Sequence, residues 1–305
     1  MILDVISSSF SQGVVWAVMA IGVYITFRLL DIADLSAEGV FPLGGAIAAI
    51  LITNGLNPFL ATAAAFAGGA AGGLLAGWIH TKLHIPPLLT GILLQTGLYS
   101  VNFQVMGGRS NLALLGQETI FTPIEDMFGF SKNMSVTVLA LIVLAIIITL
   151  LVLFLHTEMG LSLRATGDNP RMSEANGINT NLMKTLGYII GNGLIALSGA
   201  MVAQKDGFAD LSMGIGTIVI GLASVIIAEV VIPNQSIGFR LTSIILGSFI
   251  YRLIIDFILN QPWIDIRPTD LRIFSAILLG FVLYFPQIQR QFGSRKKSAV
   301  SGGAK

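Results

Sequence analysis

The chain has no cysteine, three histidines and a charged fraction of only 11%. Without thiols there is no disulfide framework, no thiolate nucleophile and no thiolate metal site, and cysteine usage says nothing about the redox compartment. Seventeen basic residues face 16 acidic ones, for a net charge of +1. That balance excludes a global field that would recruit nucleic acid or an acidic partner. No Gly-x-x-x-x-Gly-Lys-Ser/Thr run occurs, so nucleotide phosphates cannot be cradled by that route. No Ser-His-Asp, zinc or paired-carboxylate constellation stands out either. His80 and His84 have i, i+4 spacing, but they offer two ligands where zinc takes three or four. The first basic residue is Arg28, so the N-terminus lacks the positive region of a cleavable signal, and its apolar stretch reads as a retained helix.

What is present is apolar. Hydrophobic residues make up 54% of the chain, against the roughly 25% charge of an ordinary soluble domain that this chain lacks. A soluble core of this size could not hide so much apolar side chain, whereas lipid removes the conflict. The 34 glycines suit helices whose backbones approach closely, and Gly69, Gly73 and Gly77 form a packing stripe. The fold class expected is all-α integral membrane, with about nine transmembrane helices (8–10). A helix needs roughly 20 apolar residues to cross the hydrocarbon core. Candidate spans lie at 12–30, 38–53, 59–79, 88–105, 135–155, 186–204, 214–232, 239–259 and 273–287. The second and ninth are short enough to be tilted, broken or re-entrant.

Short cytoplasmic loops collect Lys and Arg. Setting loop 156–185 and the basic tail 288–305 inside puts 11 of the 17 basic residues there: Arg28, Lys82, Arg164, Arg171, Lys184, Arg240, Arg290, Arg295, Lys296, Lys297 and Lys305. The N-terminus is then outside and the C-terminus, with its disordered tail, in the cytoplasm.

The two halves echo each other. Ala-Asp-Leu-Ser occurs at 33–36 and again at 209–212, each time after an apolar helix and before a small-residue helix. The copies start at spans 1 and 6, an odd offset, so the repeats (about 11–155 and 186–287) should be inverted, with broken helices at 31–39 and 207–214. Inverted repeats with interrupted helices are a transporter signature, and pathway or gate elements tend to lie at the interruptions. Asp34, Ser36, Asp210 and Ser212 can each cap the helix that follows. Ordinary interfacial caps would give the same pattern.

Ionisable and amide groups inside the bilayer are functional candidates by default. Glu38 follows the first break, where it lines a pathway or snorkels to the rim. Asn192, between Gly191 and Gly193, lines the pathway or bonds a neighbouring helix. Arg252 and Asp256 are spaced for an ion pair on one helix face.

Loop 156–185 carries Asn169 as an N-cap, Pro170 at the first helical position and Gly177 past the end. That spacing predicts a two-turn helix over 170–176, too short to stand alone. It needs a surface to pack on, either a cytoplasmic partner or its own membrane domain.

The segment Gly160-Leu161-Ser162-Leu163-Arg164-Ala165-Thr166-Gly167-Asp168-Asn169-Pro170, followed by Gly177-Ile178-Asn179, resembles the coupling loop of permeases from the branched-chain amino-acid and simple-sugar ABC importer family. The runs Gln12-Gly13 to Gly22, Asp34-Leu35-Ser36 and Gln204 to Ile232 are similar to that family too, the last to a subgroup linked to tryptophan or tyrosine uptake. Glu174-Ala175-Asn176-Gly177 is only a loose echo of another importer class. The resemblance implies a bacterial plasma-membrane permease domain over 1–287 that moves a small solute, an amino acid of the aromatic or branched-chain kind. It implies no cofactor in this chain and no enzymatic activity of its own, with ATP and magnesium in a partner. The implied partners are a second permease copy in a homodimer, two cytoplasmic ATPase subunits, an extracytoplasmic solute-binding protein and membrane lipid, with no nucleic acid. Coupling contacts would come from Arg164, Gly167, Asp168, Asn169, Pro170, Arg171, Glu174 and Gly177. The rival readings are an ion-coupled secondary transporter using Glu38, Asp34 or Asp210 as its proton or sodium site, and a membrane enzyme.

Overall fold

A run such as 136–155, apolar on every side, has nowhere to send its backbone polar groups in lipid except along its own helix. Helices accordingly dominate the computed structural model, which describes residues 2–233, 236–259 and 273–278 with the single positions 280, 281 and 284. In chain order these are α1 (Ile2–Val23), α2 (Ala37–Thr53), α3 (Pro58–Lys82), α4 (Pro87–Val105), α5 (Thr122–Phe128), α6 (Lys132–Leu155), α7 (Glu158–Asp168), α8 (Pro170–Ala175), α9 (Thr180–Asp206), α10 (Thr217–Val231) and α11 (Ile237–Leu259). A π-helical turn, Tyr24–Leu29, extends α1, and a 3-10 turn, Leu211–Gly214, precedes α10. Two short strands, β1 (Asn111–Ala113) and β2 (Phe208–Asp210), pair antiparallel with Leu112 opposite Ala209.

Six helical segments among the described residues are long and apolar enough to cross a membrane. They begin at Val5, Pro58, Lys132, Thr180, Leu211 and Ile237. Eight of the nine spans expected from hydropathy coincide with helices, but α2 and α4 fall outside the set of six. At 17 residues α2 is about 25 Å long, short of the hydrocarbon thickness. The 19 residues of α4 include Gln95, Asn102 and Gln104. The ninth span, 273–287, lies largely outside the described residues, as does the tail 288–305.

The bundle has a clear inside. In the apolar windows of α1 and α9, 78% of residues are buried, against 33% in α6. α9 is the axis: α3 and α2 pack along it and α1 crosses it, while α11 and α6 cover α1, α4 covers α2, and α10 lies between α1 and α11. The outward faces carry Leu74, Trp78, Ile146, Leu150, Leu153 and Phe257, apolar and exposed as lipid contact requires. The stripe of small residues on α3 faces α9. A Cβ on Gly69 would stand 2.6 Å from the Asn192 carbonyl oxygen, one on Gly73 2.7 Å from the Tyr188 carbonyl carbon, and one on Gly77 2.8 Å from Thr185 Cα. Only hydrogen fits between these two helices.

Two chain reversals enter the bundle from opposite ends. After the π turn, Asp31 adopts a left-handed φ of 55°, which aspartate tolerates, and residues 30–36 turn back beside the middle of α9 before α2 starts. After α9, Gly207 (φ 81°) ends the helix, β2 pairs with β1, and residues 211–216 dip back beside the start of α2.

Candidate functional site

Both copies of Ala-Asp-Leu-Ser fold into the same local turn. Asp34 Oδ1 accepts from the Ser36 amide at 2.9 Å and from the Ser36 hydroxyl, and Asp210 Oδ1 accepts from the Ser212 amide at 2.7 Å and from the Ser212 hydroxyl. An Asx-type turn of this kind offers the backbone an alternative to helix, which is why the chain breaks there. Neither copy caps the long helix after it as the sequence suggested. Ser36 makes no side-chain cap bond to α2, and Asp210 caps only the 3-10 turn. In both copies the Asp carboxylate claims the Ser donors first.

The environments then diverge. Asp34 is 3% exposed, and its second oxygen accepts from Asn192 Nδ2 at 2.8 Å; the same amide group also donates to the Tyr188 carbonyl at 3.1 Å. Asp34, Ser36 and Asn192 thus form a closed polar knot that pins the first break to the middle of α9. Asn192 spends its amide on Asp34, Ser36 and the Tyr188 carbonyl of its own helix. In the second copy Asp210 is partly exposed, and Asn111 Nδ2 reaches its Oδ2 at 3.2 Å from β1. Burial pushes the Asp210 carboxyl up, but the bonds from Ser212 and Asn111 outweigh it and hold the group below its ordinary value.

Glu38 joins the two breaks. One carboxylate oxygen accepts from Gln95 Nε2 at 2.8 Å, and the other accepts the Gly216 amide at 3.0 Å, from the residue that begins α10. Gly216 has φ 81°, and Gly214 lies so close that a Cβ would be 2.6 Å from Pro42 Cδ. Glu38 ties α2 to the start of α10, 178 residues away. A cavity of about 280 Å3 opens beside it, lined by Glu38, Gln95, Asn102, Asp210 and Ser212 among others. Of the six residues singled out at the breaks, three line this cavity and three are sealed in the knot. Gln95 and Asn102 were not foreseen, because a lone amide on an apolar helix carries no spacing signal, and Asn111 meets Asp210 only through the pairing of β1 with β2, 99 residues apart in the chain.

At the opposite end, Asn169 accepts from the Met172 amide at 3.0 Å and Pro170 opens α8, which ends at Asn176 before Gly177 at φ 81°. The expected short helix is there. The preceding α7 was not foreseen; its cap is Thr157, which accepts from the Gly160 amide at 3.2 Å. Gly167 sits against the first break, where a Cβ would be 2.7 Å from the Leu29 carbonyl carbon and 3.0 Å from Leu30 Cα. Glu174 accepts from Thr180 Oγ1 at 2.6 Å, fixing α8 to the start of α9. Asp168, Asn169, Pro170, Arg171 and Gly177 are exposed. Arg164 and Asp168 share a cavity of about 410 Å3 with Tyr24, Arg28 and Arg240, and beside it Arg28 Nε donates to Glu229 at 2.6 Å.

Elsewhere, Arg252 and Asp256 each find a partner on α1: the Arg252 guanidinium lies 4.4 Å over the Trp16 ring, and Asp256 accepts from Ser9 Oγ at 2.6 Å. His80 and His84 engage backbone carbonyls, of Ile85 and Lys82. No group of three His, Asp or Glu among the described residues could hold a metal ion.

Residues 5–285 match the family described as the permease component of branched-chain amino acid transport systems. The chain belongs to that family. The permease is 41% identical over 274 residues to a tyrosine transport system permease protein of Clostridioides difficile, covering 90% of this chain and 88% of that one. It is 32% identical over 286 residues to an uncharacterized protein of Rickettsia prowazekii, covering 92% and 96%. It is 26% identical over 242 residues to the ribose import permease of Escherichia coli K12, covering 77% and 73%. In fold it resembles a chain described as a metal-chelate type ABC transporter in an inward-facing conformation, with a TM-score of 0.52 at 16% identity, covering 92% of this chain and 86% of that chain. The permease is therefore the membrane subunit of an ABC importer, a multi-pass inner-membrane protein that is not itself an enzyme and works with a separate ATPase and a substrate-binding partner. This displaces the ion-coupled transporter and membrane-enzyme readings.

Proposed function

We propose that the permease works as a homodimer. Two ATPase subunits holding ATP and magnesium dock on α7–α8 at the cytoplasmic face, and a binding protein delivers an aromatic amino acid of the tyrosine type from the other side. The observation that carries this reading is the mechanical line from the exposed loop to the first break. α8 presents Arg171, Met172 and Glu174 outward, while Gly167 presses α7 onto Leu29 and Leu30, where the chain turns toward Asp34 and Glu38. ATP-driven closure of the partners moves α7–α8, α7 moves the break, and Glu38 carries the movement to α10. The solute class rests on the 41% identity to a tyrosine transport system permease protein.

The pathway runs past the two breaks in nine spans arranged as inverted repeats, with the N-terminus outside, the C-terminus inside and 1–287 as one domain. Supporting the inversion, α3 packs on α9 while α11 packs on α1, and α2 lies along α9 while α10 lies along α1. An inverted pair of three-helix units makes such exchanged contacts. Supporting the orientation, Arg28, Arg164 and Arg240 gather at the α7 end, as cytoplasmic loops do.

The test is capture of the cognate ATPase. Arg171→Glu and Met172→Glu, both at exposed positions, should abolish capture by the detergent-purified permease without lowering its melting temperature. Because the chain has no native cysteine, Met172→Cys should resist an impermeant thiol reagent on intact cells and react in inverted vesicles. Labelling from outside, or capture undiminished by the charge reversal, refutes the assignment.

A further inference from the structure

The cavity between the two breaks has a surplus of acceptors. Several of its donors are spent within the protein: Gln95 Nε2 and the Gly216 amide on Glu38, Ser212 Oγ on Asp210, and Asn102 Nδ2 on the Gly39 carbonyl at 3.0 Å. The Tyr99 and Ser110 hydroxyls, which also line it, can donate or accept. Three acceptor groups remain. Each carboxylate offers about four lone-pair sites, and Glu38 has protein donors for two. Asp210 adds a second carboxylate on the same wall. The third is Asn102, which is 1% exposed and whose Oδ1 has no hydrogen-bond partner among the described residues. Its amide cannot be turned to relieve this, because the Gly39 carbonyl requires the donor end. An acceptor buried without a partner costs roughly 1–3 kcal/mol, and such a group calls for an explanation.

Among the described residues no lysine, arginine or histidine lines the cavity; Arg109, the nearest in sequence, lines a separate one with Asn54 and Met106. A site with two carboxylates, an orphan amide oxygen and no cation is complementary to a group that carries positive charge and several N–H donors. Resting on the reading of the chain as a solute permease, we infer that this cavity receives the ammonium group of the passing solute, held by Glu38, Asp210 and Asn102. A free carboxylate would meet two like charges, and a neutral polyol would leave the carboxylates uncompensated. A volume of about 280 Å3 suits the ammonium-bearing end of a small amino acid or amine.

The absence of native cysteine makes the test clean. Ile215→Cys puts one thiol on the cavity wall, and Leu115→Cys, 85% exposed, serves as reference. In the full chain in lipid nanodiscs, reaction rates are compared for a trimethylammonium and a sulfonate methanethiosulfonate reagent. The cation-to-anion rate ratio at 215 should exceed the reference by at least about tenfold. It should fall to the reference value in the Glu38→Gln/Asp210→Asn background, where both side chains keep their acceptor shape. The single variant Asp210→Asn, at a partly exposed position, should lower it by an intermediate amount and covers the case in which the double variant melts early. Tyramine should slow labelling at 215, while 3-(4-hydroxyphenyl)propanoate, which lacks the ammonium, should not. A ratio equal to the reference, equal protection by both compounds, or protection by neither overturns the site. ATPase capture reports independently on the permease reading, so loss of charge selectivity with capture intact removes the ammonium site alone.

Discussion

Replacing Gly167 with alanine separates packing from backbone conformation at the coupling loop. The added methyl carbon would stand 2.7 Å from the Leu29 carbonyl carbon and 3.0 Å from Leu30 Cα, both backbone atoms. The Leu29 carbonyl oxygen lies closer still. Carbon atoms rest at about 3.5–4.0 Å, so α7 has to retreat by more than about 1 Å from the π turn. No flexible side chain can yield instead. Overpacking of this kind costs roughly 1–3 kcal/mol, and about 2–4 °C is lost per kcal/mol in a domain of 150–250 residues. The apparent melting temperature of the purified variant should therefore drop by between about 2 and 12 °C. Displacement should also loosen the link from α8 to the first break, so solute-stimulated ATP hydrolysis by the reconstituted importer should fall more than basal hydrolysis. Gly177→Ala is the control: nothing lies within 4 Å of its Cβ, and the cost is only that of alanine at φ 81°, about 1 kcal/mol. If Gly167→Ala melts no lower than Gly177→Ala and keeps full stimulation, α7 does not bear on the break and the proposed line of transmission is wrong.

Other perturbations read the remaining contacts. Asn192→Leu strips Asp34 Oδ2 of its donor from α9 and should destabilise by about 1–3 kcal/mol in a thermal melt, whereas Asp34→Leu/Asn192→Leu should recover part of that loss, because no buried carboxylate oxygen is left without a donor. Arg28→Gln breaks a half-exposed ion pair and should change stability by less than about 1 kcal/mol; a larger loss would mean that the pair bears load. For Asp210 the carboxyl is held below its ordinary value, so its contribution is present above the unfolded-state value and disappears as the pH falls through the folded one. The melting advantage over Asp210→Asn should accordingly vanish on acidification, and an advantage that persists in acid would contradict the hydrogen-bonding account.

Much of the architecture was legible in the residues because lipid enforces simple rules. Apolar runs of sufficient length had to be helices, and the glycine spacing on α3 had to be a contact face. Asn169, Pro170 and Gly177 had to bound a short helix, since each acts through its own backbone geometry. Some expectations failed for physical reasons. α7 escaped notice because Met159, Leu161, Leu163 and Ala165 alternate along the sequence, and of the residues it buries, Gly160, Leu163 and Thr166, only Leu163 is a large apolar one. The contacts that Arg252 and Asp256 make with Trp16 and Ser9 also escaped notice, because i, i+4 spacing says nothing of partners across the bundle.

The sequence by itself determined that this chain lives in lipid, that it breaks at two Ala-Asp-Leu-Ser turns, and that any ATP chemistry belongs to another subunit. These follow from composition, local turn chemistry and a missing phosphate loop, all properties of neighbours along the chain. Only the tertiary structure decided that one turn is sealed by Asn192 while the other opens on a cavity, and that Glu38 reaches across to Gly216. Those outcomes depend on which helices meet and how closely their backbones approach, and contacts more than 150 residues apart in the chain leave no local trace.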